Sequence, residues 1–532
     1  MKAKFKFGIA MLTVAASTVA GCNLFKKNTV DADAVQFWSS FGGAYTTVLN
    51  GVVAKITEEK GIKIEHASQG SYDEINRNMI SAIAVGDYPN IAMGYPDHFA
   101  TYLSSGILNP LDGYLSEADL ADYYAEYMHE NYFYDDGGEN AQKKLYALPF
   151  NKSTELLGYN GVFVDYCASL NPVLADIPAT WQDWEVKAPL YNAIFKSLMG
   201  KILYGKQDIE GTASEFELLG ASDAAPAGKA ALLDMSKVDP GMCVLMSWDA
   251  TDNAFITLTR QWGAQYTNLP ESEKTKVPKK RVGEVLFNSS ENQPKVIEML
   301  KFLNKWQKDR IFDIPTALGG QYASSAFEQC KVMFMVCSSG GLSYNTAIWN
   351  HRFRSAPVPY YAGANGTNKY VISQGANICL TNRGNFENSV ATIKALTTGK
   401  YQTEWCLETG YYPCSKSALE SAEYQAFLHE ADDNVATTEA LKKAAYSSPT
   451  RVAYREGSEL NANEYMDATK GWNKFVDAAF KGSSDIRTAV KSVFGSVFAL
   501  PITATDADYA AKLNAIENDS NIKGQSTIKF VH

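Results

Sequence analysis

Histidine is scarce in this chain. Six occur in 532 residues, at positions 66, 98, 129, 351, 429 and 532, and none falls in an HExxH run or a tight His/Cys cluster. The usual signature of a catalytic zinc site is missing, and no metal or cofactor is expected. No GxSxG elbow offers a nucleophilic serine. Carboxylates are plentiful, but none stands in a recognisable acid/base motif of the kind a glycosidase holds ~5–10 Å apart. Positive charge is in deficit: 49 Lys and Arg against 59 Asp and Glu leave a net charge of -10. That speaks against a nucleic-acid partner, whose affinity is drawn from Lys and Arg on phosphates. Beyond residue 22 no apolar run approaches the ~20 residues of a membrane-spanning helix. There is no internal repeat, and no Pro/Gly-rich linker divides the chain.

What is present describes an ordinary folded chain. Its apolar fraction is 46% and its charged fraction 20%, and at ~150 residues per domain the length implies more than one hydrophobic core. Residues 1–21 read as a signal peptide, with Lys2, Lys4 and Lys6 ahead of an apolar stretch from Phe7 to Ala20. Val19-Ala20-Gly21-Cys22 resembles the bacterial lipobox. That resemblance implies cleavage before Cys22, a diacylglycerol on its sulfur, and acylation of the new amino terminus. Residues 22–33 then form a lipidated tether, and the lipid is the expected membrane anchor, on the outer side of a bacterial membrane at the cell surface or in the periplasm. Plain secretion is the alternative. The seven other cysteines, at 167, 243, 330, 337, 379, 406 and 414, form no CxxC pair and sit in apolar strings. They read as small buried side chains, with a Cys406–Cys414 bridge left open.

The amino-terminal third alternates strand and helix. Ala34 to Trp38 is a short apolar strand, and Tyr45, Val48, Leu49, Val52, Val53 and Ile56 then follow at helical spacing. Ile62 and Ile64 alternate with polar residues, Ile75, Met79, Ile80 and Ile83 make a second helical stripe, and Asn90 to Gly94 is a third strand. This order predicts a parallel, covered α/β sheet. Ligands of such sheets sit beyond the carboxyl ends of the strands, which points to Ser39–Gly43, Ser68–Glu74 and Tyr95–His98. Residues 200 to 245 are irregular, and the Lys/Arg/Glu run at 270–281 reads as a solvated surface. Pro294 to Phe312 is an amphipathic helix, and the carboxyl-terminal stretch, including Trp472, Phe475, Val476 and Phe480, reads as helical.

An ordered series of phrases then carries a resemblance. Phe37-Trp38-Ser39-Ser40-Phe41-Gly42-Gly43 opens the series, and Gly70-Ser71-Tyr72-Asp73-Glu74 follows the second strand. Leu148-Pro149-Phe150-Asn151-Lys152-Ser153-Thr154 leads into Leu157-Gly158-Tyr159-Asn160, and Ala179-Thr180-Trp181-Gln182-Asp183-Trp184 comes next. Later stand Ser338-Ser339-Gly340, Gly375-Ala376 and Thr409-Gly410-Tyr411-Tyr412-Pro413. Together they resemble the family 1 extracellular solute-binding proteins of carbohydrate ABC importers, and within it the glycerol-3-phosphate-binding branch. The resemblance implies two α/β lobes with a hinge and a ligand cleft between them, closing around ligand. It places lobe one at 34–152 plus 369–411 and lobe two at 153–368 plus 412–532, with crossings near 149–155, 358–372 and 410–414.

The same resemblance implies a binding set. Tyr72 and Tyr411 match aromatic hydroxyls, Ser153 and Ser339 match aliphatic hydroxyls, and Gly375 matches a close backbone approach to ligand. Trp262 matches an aromatic platform, with Trp248 as a second candidate. Arg451 matches a ligand-facing arginine, with Arg455 competing, and a guanidinium there would suit a phosphate. Asp97 stands one place later than the acidic residue that the branch has after its third strand, since Tyr95 is followed by Pro96. The expected partners are a small carbohydrate or polyol-phosphate ligand and ABC permease subunits, and no enzymatic activity is expected. A peptide-binding protein of another ABC class and a secreted carbohydrate-processing enzyme are the competing readings.

Overall fold

The computed structural model describes residues 33–135, 138, 140–199, 240–320, 322–341, 354–363, 368–429, 473–475 and 479–532. The signal peptide, Cys22, the tether through residue 32, most of the irregular middle, Arg451 and Arg455 lie outside the described residues.

The chain opens as β1 (Val35–Ser39), α1 (Gly43–Lys60), β2 (Ile64–Ser68), α2 (Tyr72–Val85), β3 (Ile91–Gly94) and α3 (Pro96–Ser104). A hairpin of β4 (Tyr132–Tyr134) and β5 (Lys143–Leu145) precedes β6 (Ala147–Pro149) and β7 (Ser153–Tyr159). Then come β8 (Val244–Trp248), α4 (Thr251–Gln261), β9 (Thr267–Asn268), β10 (Gly283–Val285), α5 (Gln293–Lys308), β11 (Phe312–Asp313) and β12 (Val332–Ser338). The described remainder includes β13 (Arg354–Ala356), β14 (Tyr370–Gln374), β15 (Asn377–Leu380), β16 (Asn473–Phe475), α6 (Ser483–Phe498) and β17 (Ile528–Phe530).

Two main sheets organise these elements in a two-lobed α/β fold. The first has the order β2-β1-β3-β15-β6; β1, β2 and β3 are parallel, as the helical crossovers between them require, and β15 runs against both neighbours. Tyr45, Leu49, Val52, Val53 and Ile56 form the buried face of α1, so the predicted stripe is the one that packs on this sheet. The second sheet has the order β11-β8-β12-β7-β14-β16, with β13 added on β7. Its central strands β8 and β12 are buried on both faces, which explains their unbroken apolar runs. β9, β10 and β17 form a separate three-stranded sheet that fastens the carboxyl terminus. Among the described residues no helix is long and apolar enough to cross a membrane.

Two strands pair otherwise than the sequence reading has it, and the segment 415–417, read with lobe two, bonds instead to Ala121, Asp122 and Tyr123 of lobe one. Tyr370–Gln374 pairs with β7 in the second sheet, so the return crossing lies at Gly375–Ala376 and residues 369–374 belong with lobe two. Asn473–Phe475 is a strand rather than part of a helix, because β14 offers it an open edge at Tyr370–Ile372. Pairing across the chain has overridden the helical spacing of the apolar residues there.

The chain passes between the sheets at 150–152 and again at 375–376, and Tyr412 meets the first crossing through a bridge to Lys152. Lys152 organises this junction. Its side chain is 0% exposed and forms an ion pair with Glu130, itself 2% exposed. The ammonium also donates to the Gly375 carbonyl at 2.9 Å, and Asn377 donates to the same Glu130 oxygen at 2.7 Å. A buried pair contributes little net stability, but leaving one member without its partner costs about 3–5 kcal/mol. Lys152→Met should therefore lower the unfolding free energy by about that amount in a urea titration, and adding Glu130→Gln should recover part of it. A loss under about 1 kcal/mol in the single variant would show that the pair does not hold the crossings together.

Candidate functional site

The carboxyl ends of the first sheet and the crossing strands converge on a cluster of hydroxyls, amides and rings. Its entry is set by a capping box. Ser71 accepts from the Glu74 amide at 3.3 Å, while Glu74 accepts from the Ser71 amide at 2.6 Å, so α2 begins at Tyr72 with its helix end fixed. The Tyr72 ring packs against Tyr95, the residue capping α3, with centroids 4.6 Å apart. Its hydroxyl accepts from the Asn151 side-chain amide at 3.1 Å. Burial raises the Tyr72 hydroxyl above its usual range, with Asn151, Ser40, Tyr411 and Tyr95 beside it pulling the other way. Burial also raises Tyr411 well above its range, with Tyr72, Tyr45 and Tyr95 adding to the shift.

Tyr411 is held by rings and by a missing side chain. It lies nearly parallel to Trp405 at 6.0 Å and near Phe41 and Tyr45. A Cβ on Gly340 would come within 2.6 Å of its ring, so only glycine permits this approach. Ser339, the preceding residue, accepts from the Thr154 amide at 3.1 Å and ties the Ser-Ser-Gly turn to β7. Gly375 has φ +100°, and a Cβ there would meet the Asn151 carbonyl at 1.9 Å. This glycine is demanded by the crossing of two backbones, whatever approaches from the cleft. Ser153, buried on β7, pairs with Gln374 in the adjoining strand.

The second sheet presents its own strand end. Asp249 directly follows β8 and accepts from the Ser324 amide at 3.1 Å; burial pushes its carboxyl up to about 6. Tyr322, 49% exposed, stands near enough to feel Asp249, Tyr72, Asp73 and Asp252. From α6, Arg487 donates to Asp252 at 3.2 Å and to Asn253 at 2.7 Å, and Asn253 donates to Gln374 at 2.7 Å. Lys491 stands 3.8 Å from Asp73 on α2 and 3.9 Å from Asp252 on α4, so one cation faces both lobes. Asp97, 8% exposed, is buried in the first turn of α3 beside Tyr95 and His98.

The structure thus brings together Tyr72, Tyr411, Ser339, Ser153 and Gly375 around the crossings, while Asp97 sits at the start of α3 beside Tyr95. Trp248 and Trp262 do not join them as platforms. Trp248 is 1% exposed, stacks on Trp181 at 6.3 Å, and donates its indole N–H to Glu155 at 2.8 Å. Trp262 is 5% exposed and stacks on Tyr361 at 4.3 Å. Both rings are consumed by packing in the second lobe. The open question of a Cys406–Cys414 bridge also has its answer: both are buried free thiols, and Cys414 lies 3.0 Å from the Phe150 carbonyl. Among the described residues no group of three His, Cys, Asp or Glu is placed to hold a metal ion.

Residues 51–437 match the family model described as bacterial extracellular solute-binding protein. The chain belongs to that family. Solved structures agree in fold. UgpB of Mycobacterium tuberculosis, solved with glycerophosphocholine, is 16% identical, covers 91% of this chain and 98% of its own, and superposes with a TM-score of 0.59. The GacH receptor of Streptomyces glaucescens, solved unliganded and with acarbose, is 14% identical over 91% and 98%, with a TM-score of 0.56. Lmo0181 of Listeria monocytogenes, solved with cycloalternan, is 14% identical over 92% and 99%, with a TM-score of 0.58. At these identities the likeness is one of fold. No curated protein matches the sequence.

Asn151, Asp249, Tyr322 and Arg487 stand near these residues and were not in the set read from the sequence, whereas Tyr95 lay in one of its strand-end segments. Two of them carried a signal. Asn151 alternates with Ser153 in the crossing phrase, and Asp249 directly follows the apolar run Val244–Trp248, a strand end of the kind already singled out in the first lobe. Tyr322 and Arg487 reach the cleft only through tertiary folding.

The second sheet also buries a titratable group. Glu155 accepts from Trp248 at 2.8 Å and from Thr257 at 3.1 Å, and burial raises its carboxyl from the usual 4.5 to about 7. The folded chain therefore holds a proton that the unfolded chain releases near pH 4.5. The stability this gives is fully present below the unfolded pKa and is lost as pH rises through the folded one, an effect on the order of 3 kcal/mol. Glu155→Gln should flatten this decline and leave the variant more stable than the parent at pH 8, read as urea midpoints across pH 5–8. The same pH slope in both proteins would contradict the assignment.

Proposed function

We propose that this chain is the substrate-binding lipoprotein of a carbohydrate ABC importer, capturing its ligand by hinge closure and delivering it to membrane permease subunits. The observation that carries the reading is the cluster of Tyr72, Tyr95, Asn151 and Tyr411 at the strand ends between the two sheets. Rings suit the C–H faces of a sugar, and fixed hydroxyls and amides suit its hydroxyl groups. The strong aromatic content, 30 Tyr, 25 Phe and 9 Trp, supplies both the core and this surface. Relatives of the same fold were solved with acarbose, cycloalternan and glycerophosphocholine. The membrane attachment rests on the leader and lipobox, with Cys22 as the lipidated residue and the chain carried outside the cell membrane.

The described cleft favours an uncharged polyhydroxylated ligand over a phosphorylated one. Asp73, Asp249 and Asp252 offer acceptors for hydroxyls, while Arg487 and Lys491 are engaged by Asp252 and Asp73. A glycerol-phosphate ligand would depend on Arg451, whose fork could hold two phosphate oxygens.

A thermal-shift screen of sugars, glycerol phosphates and peptides, run on the soluble folded protein expected from Cys22→Ala, tests the function. A ligand at about 100 times its dissociation constant adds ~2.7 kcal/mol of stability. The expected hit is a sugar, recovered unchanged after incubation. In calorimetric titration with that sugar, Tyr72→Ala and Tyr411→Ala should each weaken binding by on the order of 1–3 kcal/mol without unfolding the protein, and Arg451→Ala should have little effect. A phosphorylated hit whose binding falls with Arg451→Lys, added phosphate or salt would move the reading to the glycerol-phosphate branch. Turnover of the sugar, a peptide hit, or full affinity in both tyrosine variants would contradict it.

A further inference from the structure

A second cavity lies away from the solute-binding cleft, between the lobes on the side of the β4–β5 hairpin. It has a volume of about 290 Å³. Leu103 of α3 and Phe133 of the hairpin form one wall, and Leu269 and Phe480 of the second lobe form the other. None of the residues in the Tyr72–Asn151–Tyr411 cluster lines it.

The charged groups of this cavity are out of keeping with the protein that contains them. In a chain of net charge -10, its lining carries Arg281, Lys143 and Lys481, and also Lys274, which is ion-paired with Glu271. The one carboxylate in the lining, Glu130, is already committed to Lys152 and Asn377. Arg281 belongs to the run at 270–281 that the sequence suggested was a solvated surface, yet it is only 6% exposed. Its hydrogen bonds go to main-chain carbonyls: Nη2 to Tyr134 at 3.0 Å and Asp135 at 2.9 Å, and Nε to Lys276 at 2.8 Å. It thereby joins the second lobe to the hairpin; the Asp135 carboxylate lies near enough to act on it, but among the described residues none stands within ion-pair distance. The Lys143 ammonium lies over the Tyr134 ring at 5.6 Å and has no carboxylate within ion-pair distance among the described residues; neither does Lys481. Three cations brought to one apolar cavity repel one another, and burial sharpens the cost for Arg281. An anion placed there would relieve both effects.

The geometry points to this cavity as a second binding site, for a small amphipathic organic anion whose acid group meets Arg281, Lys143 and Lys481 and whose aromatic or short acyl body fills the apolar walls. Its volume is at the lower end for small-molecule sites, about 300 Å³ and upward, and excludes a diacyl lipid. Because both lobes form the walls, an occupant favours the lobe arrangement that builds the cavity.

The probe is 1-anilinonaphthalene-8-sulfonate, titrated into the whole mature chain and read by fluorescence. One saturable component is expected, weakened by added salt. The double variant Lys143→Glu/Lys481→Glu, which alters only exposed side chains, should weaken it about tenfold or more while keeping the parent's thermal melting profile. Tyr72→Ala should leave the component unchanged. The absence of a saturable component would overturn the proposal, and so would a component indifferent to the charge reversal. Loss of the component in Tyr72→Ala would place the dye in the solute cleft instead, and would overturn this site without touching the carbohydrate reading.

Discussion

The arrangement depends on one buried ammonium. Lys152 lies in the segment that leaves the first sheet at Pro149 and enters the second at Ser153, and its charge can be kept out of water only if acceptors are carried to it. Glu130 comes from the segment ahead of the hairpin, the Gly375 carbonyl comes from the returning strand, and Tyr412 bonds through its amide to the Lys152 carbonyl at 3.0 Å. Three passages of the chain are thereby gathered at one residue. The neighbouring Asn151 turns to Tyr72, and its carbonyl packs where a Gly375 side chain would stand. The residue that gathers the crossings, Lys152, and the residue that bonds Tyr72, Asn151, are consecutive, so a shift at the crossings is transmitted directly to Tyr72.

The two sides of this junction differ in character. Across the cleft the lobes are linked by Lys491 and Asp73, 3.8 Å apart and both partly exposed, while Arg487 holds Asn253 and, through it, Gln374 within the second lobe. Such contacts are individually weak and readily remade during a hinge motion. On the hairpin side Arg281 is buried and donates to three carbonyls. Opening there exposes a guanidinium that has been taken out of water and gives up several bonds at once. The physical expectation is a joint that yields on the cleft side and resists on the other.

Much of the first lobe was legible because its elements obey local rules. The stripe from Tyr45 to Ile56 packs as α1, the Ser71–Glu74 capping box starts α2 at Tyr72, and Pro89 and Pro96 flank β3. Tyr72 and Tyr411 stand out in the sequence because each lies within a distinctive phrase, and the structure brings the two side chains together. The misplacements share a cause in tertiary structure. Trp248 and Trp262 have the side chain of a sugar platform, but their indoles are spent on Glu155 and Tyr361, partners 93 and 99 positions away in sequence. Arg281 reads as solvated among its charged neighbours and is buried by a hairpin more than a hundred residues earlier. The strand at Asn473–Phe475 exists because β14 has a free edge, which no local spacing reveals.

The central claim is that a ligand is held between the two sheets at the strand ends around Lys152 and Gly375. Hydrogen–deuterium exchange, with and without the sugar that most raises the melting temperature, tests it most directly. The account predicts slowed exchange on both walls together: in the segments of Tyr72 and Tyr95 from the first lobe, those of Asp249 and Tyr322 from the second, and the crossing at Gly375–Ala376. Protection confined to one lobe, or lying away from these strand ends, would contradict it.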